Sequence, residues 1–213
     1  MITEVQNCLD RILVEYTRGH HLESLIEAKK EYFELTGTLT EEDDEYESRM
    51  NAFNDWYLFQ YLSKRKTKTV VKDFLEKSQI EDNIAKSLLS VNHSLFEFKK
   101  INFFKKVVLE DVLHGTNVIL PKDGLTIGIV KGDMFTGRLL TYNNQHYLLK
   151  GVCIYPESVK NILRKESKKV RKLKDPGQEH NFLLKLEQLK TKSLRYGHID
   201  MTKIFVFPTA PTA

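Results

Sequence analysis

Glycine and proline are crowded into some parts of this chain and nearly missing from others, and that distribution constrains the fold more than any other feature. Six of the ten glycines fall between Gly115 and Gly151, and all five prolines stand at Pro121 or later. Both residues punctuate turns and interrupt helices. Residues 1–92 contain only Gly19 and Gly37, so long helices are open to them. Charge changes at the same places. Residues 1–92 hold 12 Lys/Arg against 18 Asp/Glu, residues 93–155 hold 8 against 5, and residues 156–213 hold 13 against 6. The net charge of +4 is therefore a gradient from acidic to basic. The pattern predicts an α+β protein in three parts. These are an acidic helical segment at 1–92, a small, mostly antiparallel β barrel or bent sheet at 93–155, and a basic helical hairpin with a β-prone tail at 156–213.

Whole-chain properties narrow the class. Charged residues at 29% and hydrophobic residues at 41% match a globular protein. No apolar run approaches the roughly 20 residues that a spanning helix needs. The start, Met1-Ile2-Thr3-Glu4, lacks the order of a secretory signal. Cys8 and Cys153 alone provide neither a disulfide framework nor a cysteine-rich zinc site. The expectation is a cytoplasmic protein with no cofactor, no metal and no membrane insertion.

In the acidic segment, Thr3 and Gln6 have capping-box spacing ahead of a stripe at Val5, Leu9, Ile12, Leu13 and Tyr16. A second helix places Leu22, Leu25, Ile26, Lys29 and Phe33 on one face, with the Lys29 stem snorkelling. Thr40 and Asp43 repeat the capping pattern before a third helix, and shorter helices are expected at 69–77 and 81–90, with a basic turn at 63–68 between the third helix and these. Phe53, Trp56, Tyr57, Phe59 and Tyr61 cover more than one helix face, which predicts a central helix buried nearly all round. Two features invite over-reading. The run Glu41–Glu45 lacks the alternating ligands and glycine of a calcium loop, and first-turn carboxylates complement the helix dipole. His20 and His21 would point about 100° apart on a helix and cannot readily share an ion.

The stretch Asp55-Trp56-Tyr57-Leu58-Phe59, with Thr69, Phe74-Leu75, Leu88-Leu89-Ser90 and Ser94-Leu95-Phe96-Glu97, resembles a family of uncharacterised bacterial proteins. That family carries an aromatic W-[FY]-L-F helix followed by a small β module opening with S-L-[FY]-E. The resemblance spans residues 50–155 and implies this domain plan, with no established activity. Some relatives end in a small cysteine-containing zinc motif of the type found on the bacterial secretion motor. This chain lacks that motif, so no zinc-dependent role carries over.

Residues 95–99, 107–109, 116–120 and 134–142 are β-prone, with a return strand at 145–154 after an Asn143-Asn144 turn that tolerates positive φ. Gly137 and Gly151 would mark sharp coiling inside strands. The segment Gly124–Gly128 lacks the Gly-Lys-Ser/Thr of a phosphate loop, and no Gly-x-Ser-x-Gly elbow occurs. Asp111, His114 and Asp133 form an unplaced acid–base set. Arg138, Tyr142 and Tyr147, with Phe98 and Lys99, would mix cations and rings on a sheet surface, as single-stranded nucleic acid favours.

The basic segment carries the sharpest expectation. Pro156-Glu157-Ser158 starts a helix whose apolar positions are Val159, Ile162, Leu163, Val170 and Leu173. Around them sit Lys160, Arg164, Lys165, Lys168, Lys169, Arg171, Lys172 and Lys174, eight cations in fifteen residues against Glu166 alone. Asp175-Pro176-Gly177 closes that helix, and Phe182, Leu183, Leu186, Leu189 and Leu194 define the next, with Lys185, Lys190, Lys192 and Arg195 outward. Such a surface suits RNA or DNA phosphates. The alternatives are a solvated face, the commonest use of a Lys-rich helix, an acidic protein partner, and the chain's own acidic segment, within one copy or across a homodimer. A lipid surface fits poorly, because no Trp or Phe lies at 159–173. The reading is a non-catalytic nucleic-acid binder. An interaction adaptor is the alternative, and an enzyme would need a pocket joining His114 or His146 to carboxylates.

Overall fold

The computed structural model describes residues 3–63, 67–121, 124–125 and 128–207. Residues 64–66 of the expected basic turn, and residues 122, 123, 126 and 127 of the glycine-rich stretch, lie outside these.

Five helices open the chain: α1 (Thr3–Tyr16), α2 (Leu22–Thr36), α3 (Tyr46–Phe59), α4 (Val70–Lys77) and α5 (Asp82–Leu89). Six strands follow: β1 (Asn92–Ile101), β2 (Val107–Asp111), β3 (Thr116–Leu120), β4 (Met134–Tyr142), β5 (Gln145–Leu148) and β6 (Cys153–Tyr155). Then come α6 (Lys160–Leu173), α7 (Pro176–Arg195) and the short α8 (Met201–Ile204). The strands pair antiparallel in the order β3-β2-β1-β4-β5, with β6 also on β4. The sheet curls into a half barrel. The class is α+β, as glycine and proline placement indicate.

Asn143 and Asn144 make the tight β4–β5 turn with φ of 48° and 60°, the conformation that suits a two-residue hairpin. The return strand divides in two. Between β5 and β6 the chain leaves the sheet, and Gly151 there lies against α3 instead of inside a strand. A Cβ at Gly151 would stand 2.5 Å from the Cα of Ala52 and 2.6 Å from Asp55 Oδ2. Gly151→Ala is expected to destabilise by about 1–3 kcal/mol through overpacking. A lowered urea midpoint would show this, and an unchanged midpoint would mean that α3 and this turn do not meet so closely.

Three apolar clusters result. One joins α1–α5 to Leu140, Tyr142, Tyr147 and Leu149 of the sheet and to Leu184 of α7. Another packs β1, β4 and β6 under α6, α7 and Phe205. A third fills the hollow of the half barrel with Phe96, Phe98, Leu109, Phe135 and Leu148. Alternate residues of β4 therefore enter different cores, and its two faces are both covered. In α3, Ala52, Phe53, Trp56, Tyr57 and Leu58 are all buried, as its ring density predicts.

Three sequence expectations change. On α2 the buried side is Ala28, Tyr32 and Thr36, whereas Leu22 and Ile26 are exposed. The stripe is rotated because Tyr32 donates to a buried carboxylate, Glu187 Oε2, at 2.6 Å. Helix α6 does end at Leu173, just before Asp175-Pro176-Gly177, but the triplet also opens α7, since Asp175 Oδ1 accepts from the Gly177 and Gln178 amides. The β-prone tail Ile204-Phe205-Val206-Phe207 adds no strand: Ile204 ends α8, which Asp200 caps through the Thr202 amide and hydroxyl, residues 205–207 are irregular, and Ile204 and Phe205 enter the core.

Candidate functional site

Helix α6 lies along the outer side of the sheet, next to β1 and β2. Leu163 and Ser167 are buried on its inner face, and Val170 packs against the same core. Lys165, Lys168, Lys169 and Lys172 stand at i, i+3, i+4 and i+7, which is one side of a helix, and all four are exposed. Lys169 pairs with Glu166 of its own helix at 2.7 Å. Among the described residues the side chains of Lys165, Lys168, Lys172 and the neighbouring Lys174 form no hydrogen bond or ion pair. No acidic helix among the described residues covers them.

The two arginines of α6 do different work. Arg164 grips Glu110 of β2, with Nη1 at 3.1 Å and Nη2 at 2.9 Å, and pairs with Glu97 of β1. These bonds hold the Glu110 carboxyl below its usual pKa. Lys99 joins the same cluster, 3.4 Å from Glu110. Arg171 donates to the carbonyls of Leu113 and Val112, both at 2.7 Å. It lies so close to Gly115 that a Cβ there would meet its guanidinium at 2.4 Å, and Gly115 also needs its φ of 78°. These arginines fasten the helix to the sheet and leave the lysines facing out.

The acidic segment meets the basic segment elsewhere, on α7. Glu187 of that helix takes Arg49 at 3.6 Å, with both side chains buried. Lys190 pairs with Glu45 at 2.8 Å and Arg195 with Asp43 at 3.1 Å. Carboxylates of the 41–45 run are thus occupied by α7, and Asp43 also accepts from the Thr40 amide and hydroxyl. The hairpin is not uniformly basic outside. Its second helix is a core helix, with Phe182, Leu183, Leu184, Leu186 and Leu189 buried.

Arg138, Tyr142 and Tyr147 are not on a sheet surface. Arg138 is 1% exposed, Tyr142 5% and Tyr147 9%. The reason is the double coverage of β4 and the packing of α1 and α5 on the sheet edge. Arg138 instead organises an internal polar network. Its Nε donates to Gln60 Oε1 at 3.1 Å, which turns the Gln60 amide nitrogen toward two imidazoles. Gln60 Nε2 lies 3.1 Å from Nδ1 of both His93 and His180. A neutral ring accepts at one nitrogen only; in His93 the Gln60 amide faces Nδ1. The Trp56 indole N–H donates to His180 Nε2 at 3.5 Å, so His180 has a donor facing each ring nitrogen. Both rings border a cavity of about 210 Å3 between α3, α5, β1 and α7.

Burial holds His93 well below the usual histidine value, and the Arg138 charge adds to that. Burial and Arg138 lower His180 to about 4. Burial raises Asp55 to about 6, against the opposing pull of Arg138 and the Gly151 amide. As pH falls from about 6.5 toward 4, the unfolded chain binds protons that the folded histidines refuse, so stability is lost in that window. Asp55 offsets part of this loss by taking its proton in the folded state first. Histidine NMR should show His93 and His180 neutral at pH 5. Two rings titrating near 6.5 would contradict the network.

Asp111 and His114 do come together, and Asp133 does not. Asp111 accepts from His114 Nδ1 at 2.8 Å, Ser94 Oγ at 2.5 Å, Asn92 Nδ2 at 3.0 Å and the His114 amide at 3.0 Å. Asp133 accepts from the Val130 amide in a separate turn. Hydrogen bonding to Asp111 raises the His114 pKa. Ser94 donates to the carboxylate and lies on the Nδ1 side of the ring, so the imidazole is not placed to draw its proton. This cluster builds the β2–β3 connection. His146 meets Thr141 Oγ1 at 3.0 Å, not a carboxylate. A larger cleft of about 890 Å3, beside α1, α3 and β5, is lined by Asp44, Glu45 and Glu47 with Lys150 the one cation among its described residues, which disfavours an anionic ligand.

One feature escapes sequence reading. The β1–β2 hairpin tip carries Phe103 and Phe104, 95% and 77% exposed. The signal is present in the sequence as two rings inside a turn, between Lys99-Lys100 and Lys105-Lys106. No periodicity marks it.

Fold and surface together define an α+β protein whose half-barrel sheet carries an uncovered lysine face. The chain belongs to a family of unknown function (DUF7986), whose model matches residues 6–184. No curated protein and no solved structure matches it. No helix among the described residues is long and apolar enough to cross a membrane, and no group of three or more His, Cys, Asp or Glu among them is placed to hold a metal ion.

Proposed function

We propose that this is a non-catalytic, cytoplasmic protein that binds RNA or another nucleic acid through the outer face of α6. The carrying observation is the unpaired, exposed set Lys165, Lys168 and Lys172 on one side of a helix whose arginines are committed to the sheet. Several cations on one rigid face favour a phosphate backbone, whose bound counterions they release. An acidic protein partner would meet the same lysines. Protein interfaces, however, are anchored by buried apolar groups at their centre, and α6 offers only Leu173 as an exposed large apolar side chain. Resemblance of residues 55–59 and 94–97 to bacterial proteins supports a bacterial setting.

The test is titration of the full chain into a fluorescein-labelled single-stranded RNA at low salt, followed by anisotropy. Saturable binding that weakens as salt is added is the expected result. No binding at micromolar protein would overturn the proposal.

A further inference from the structure

We infer that the β1–β2 hairpin tip is a stacking platform for unpaired bases, so that the nucleic acid bound is single-stranded. This rests on the proposed function and adds a second point of attachment to it. Exposed rings are usually solitary, and a pair at a tip calls for a partner. Phe103 and Phe104 touch edge to face, with centroids 5.8 Å apart and planes at 83°, and Ile101 beside them is 61% exposed. The tip is firmly built. Asn102 exchanges hydrogen bonds with Lys106, donating at 2.8 Å through its amide and accepting at 2.9 Å through Oδ1, and accepts from the Lys105 amide at 2.9 Å. Rings on a fixed turn lose little freedom when they bind.

Cations lead away from the rings in a line. Lys100, Lys105 and Lys106 flank the tip and are exposed. Lys99 follows in a neutralised cluster, paired with Glu97 at 2.9 Å and sharing Glu110 with Arg164, and the unpaired lysines of α6 lie beyond it. From there α6 runs away from the tip, because Arg164 lies at Glu97 and Glu110 whereas Arg171 lies at Val112 and Leu113. Strand and helix rises make the track on the order of 30 Å long. A linear track of cations ending in rings matches a linear polyanion that carries a π face on every base. Small single-strand binders take about 4–16 nucleotides in this way. A duplex hides its bases and would use only the lysines.

The experiment compares wild type with Phe103→Ala/Phe104→Ala on a labelled 12-nucleotide RNA and on its duplex. Both positions are exposed, and an unchanged melting curve confirms folding. The double variant should bind the single strand about tenfold or more weakly with its salt dependence unchanged, because stacking releases no counterions. Wild type should prefer the single strand over the duplex. If wild type binds neither, the proposed function fails and this inference with it. If the variant binds the single strand as tightly as wild type, the inference alone fails. It is equally overturned if the variant keeps RNA affinity but loses retention on phosphatidylcholine–phosphatidylserine vesicles, which would make the tip a lipid anchor.

Discussion

Arg49→Met should lower the stability of this protein by about 3–5 kcal/mol, because it strands a carboxylate in the core. Arg49 and Glu187 are 2% exposed at their side chains. Glu187 Oε2 also accepts from Tyr32, whose hydroxyl is pushed well above its usual pKa by burial and by the Glu187 charge. Arg49 in turn donates to the carbonyls of Thr36 and Glu187 at 3.3 and 3.4 Å. Three helices, α2, α3 and α7, therefore meet at one ion pair. Removing the cation alone leaves a buried charge without its partner, which costs more than the pair contributed. Replacing both partners, as Arg49→Met/Glu187→Leu, removes the stranded charge and should recover much of the stability. Urea unfolding of wild type, Arg49→Met, Glu187→Leu and the double variant measures this. If the double variant is as unstable as the sum of its parts, the two side chains do not act as a pair.

That junction also shows how much of the fold is legible in the sequence. Local signals read correctly where local chemistry decides. The Asn143-Asn144 turn follows from positive φ, and burial of the Trp56 helix follows from rings on several faces. Helices α4 and α5 lie within a residue of the expected ends. Signals fail where a distant partner decides. Tyr32 turns α2 toward Glu187, 155 positions away, and so leaves Leu22 and Ile26 outside. Arg138 looks like a surface cation on a strand, yet β4 is covered on both sides and the guanidinium finds Gln60, 78 positions away. Charge counting places the cations of α6 and α7 on one basic surface. Only the structure separates them, because it shows Lys190 and Arg195 paired with acids of the first segment while Lys165, Lys168 and Lys172 have none.

The lysine face yields the second large expected effect. Lys165→Glu/Lys168→Glu/Lys172→Glu changes the local charge by six units without touching a buried group or an ion pair. Every phosphate of a single strand that is no longer neutralised by a lysine flattens the dependence of log affinity on log salt by about 0.7. Three such phosphates should therefore flatten the slope by about 2, and the reversed charges should weaken binding by at least about a hundredfold at low salt. Arg164 and Arg171 stay in place, so α6 should remain seated on the sheet and the thermal midpoint should hold.

The most direct test of the central claim is the slope of RNA affinity against salt for wild type and for this triple variant. A steep wild-type slope that flattens by about 2 in the variant is the predicted result. Equal slopes for the two proteins would contradict it, and would mean that the outer face of α6 is not where a polyanion binds.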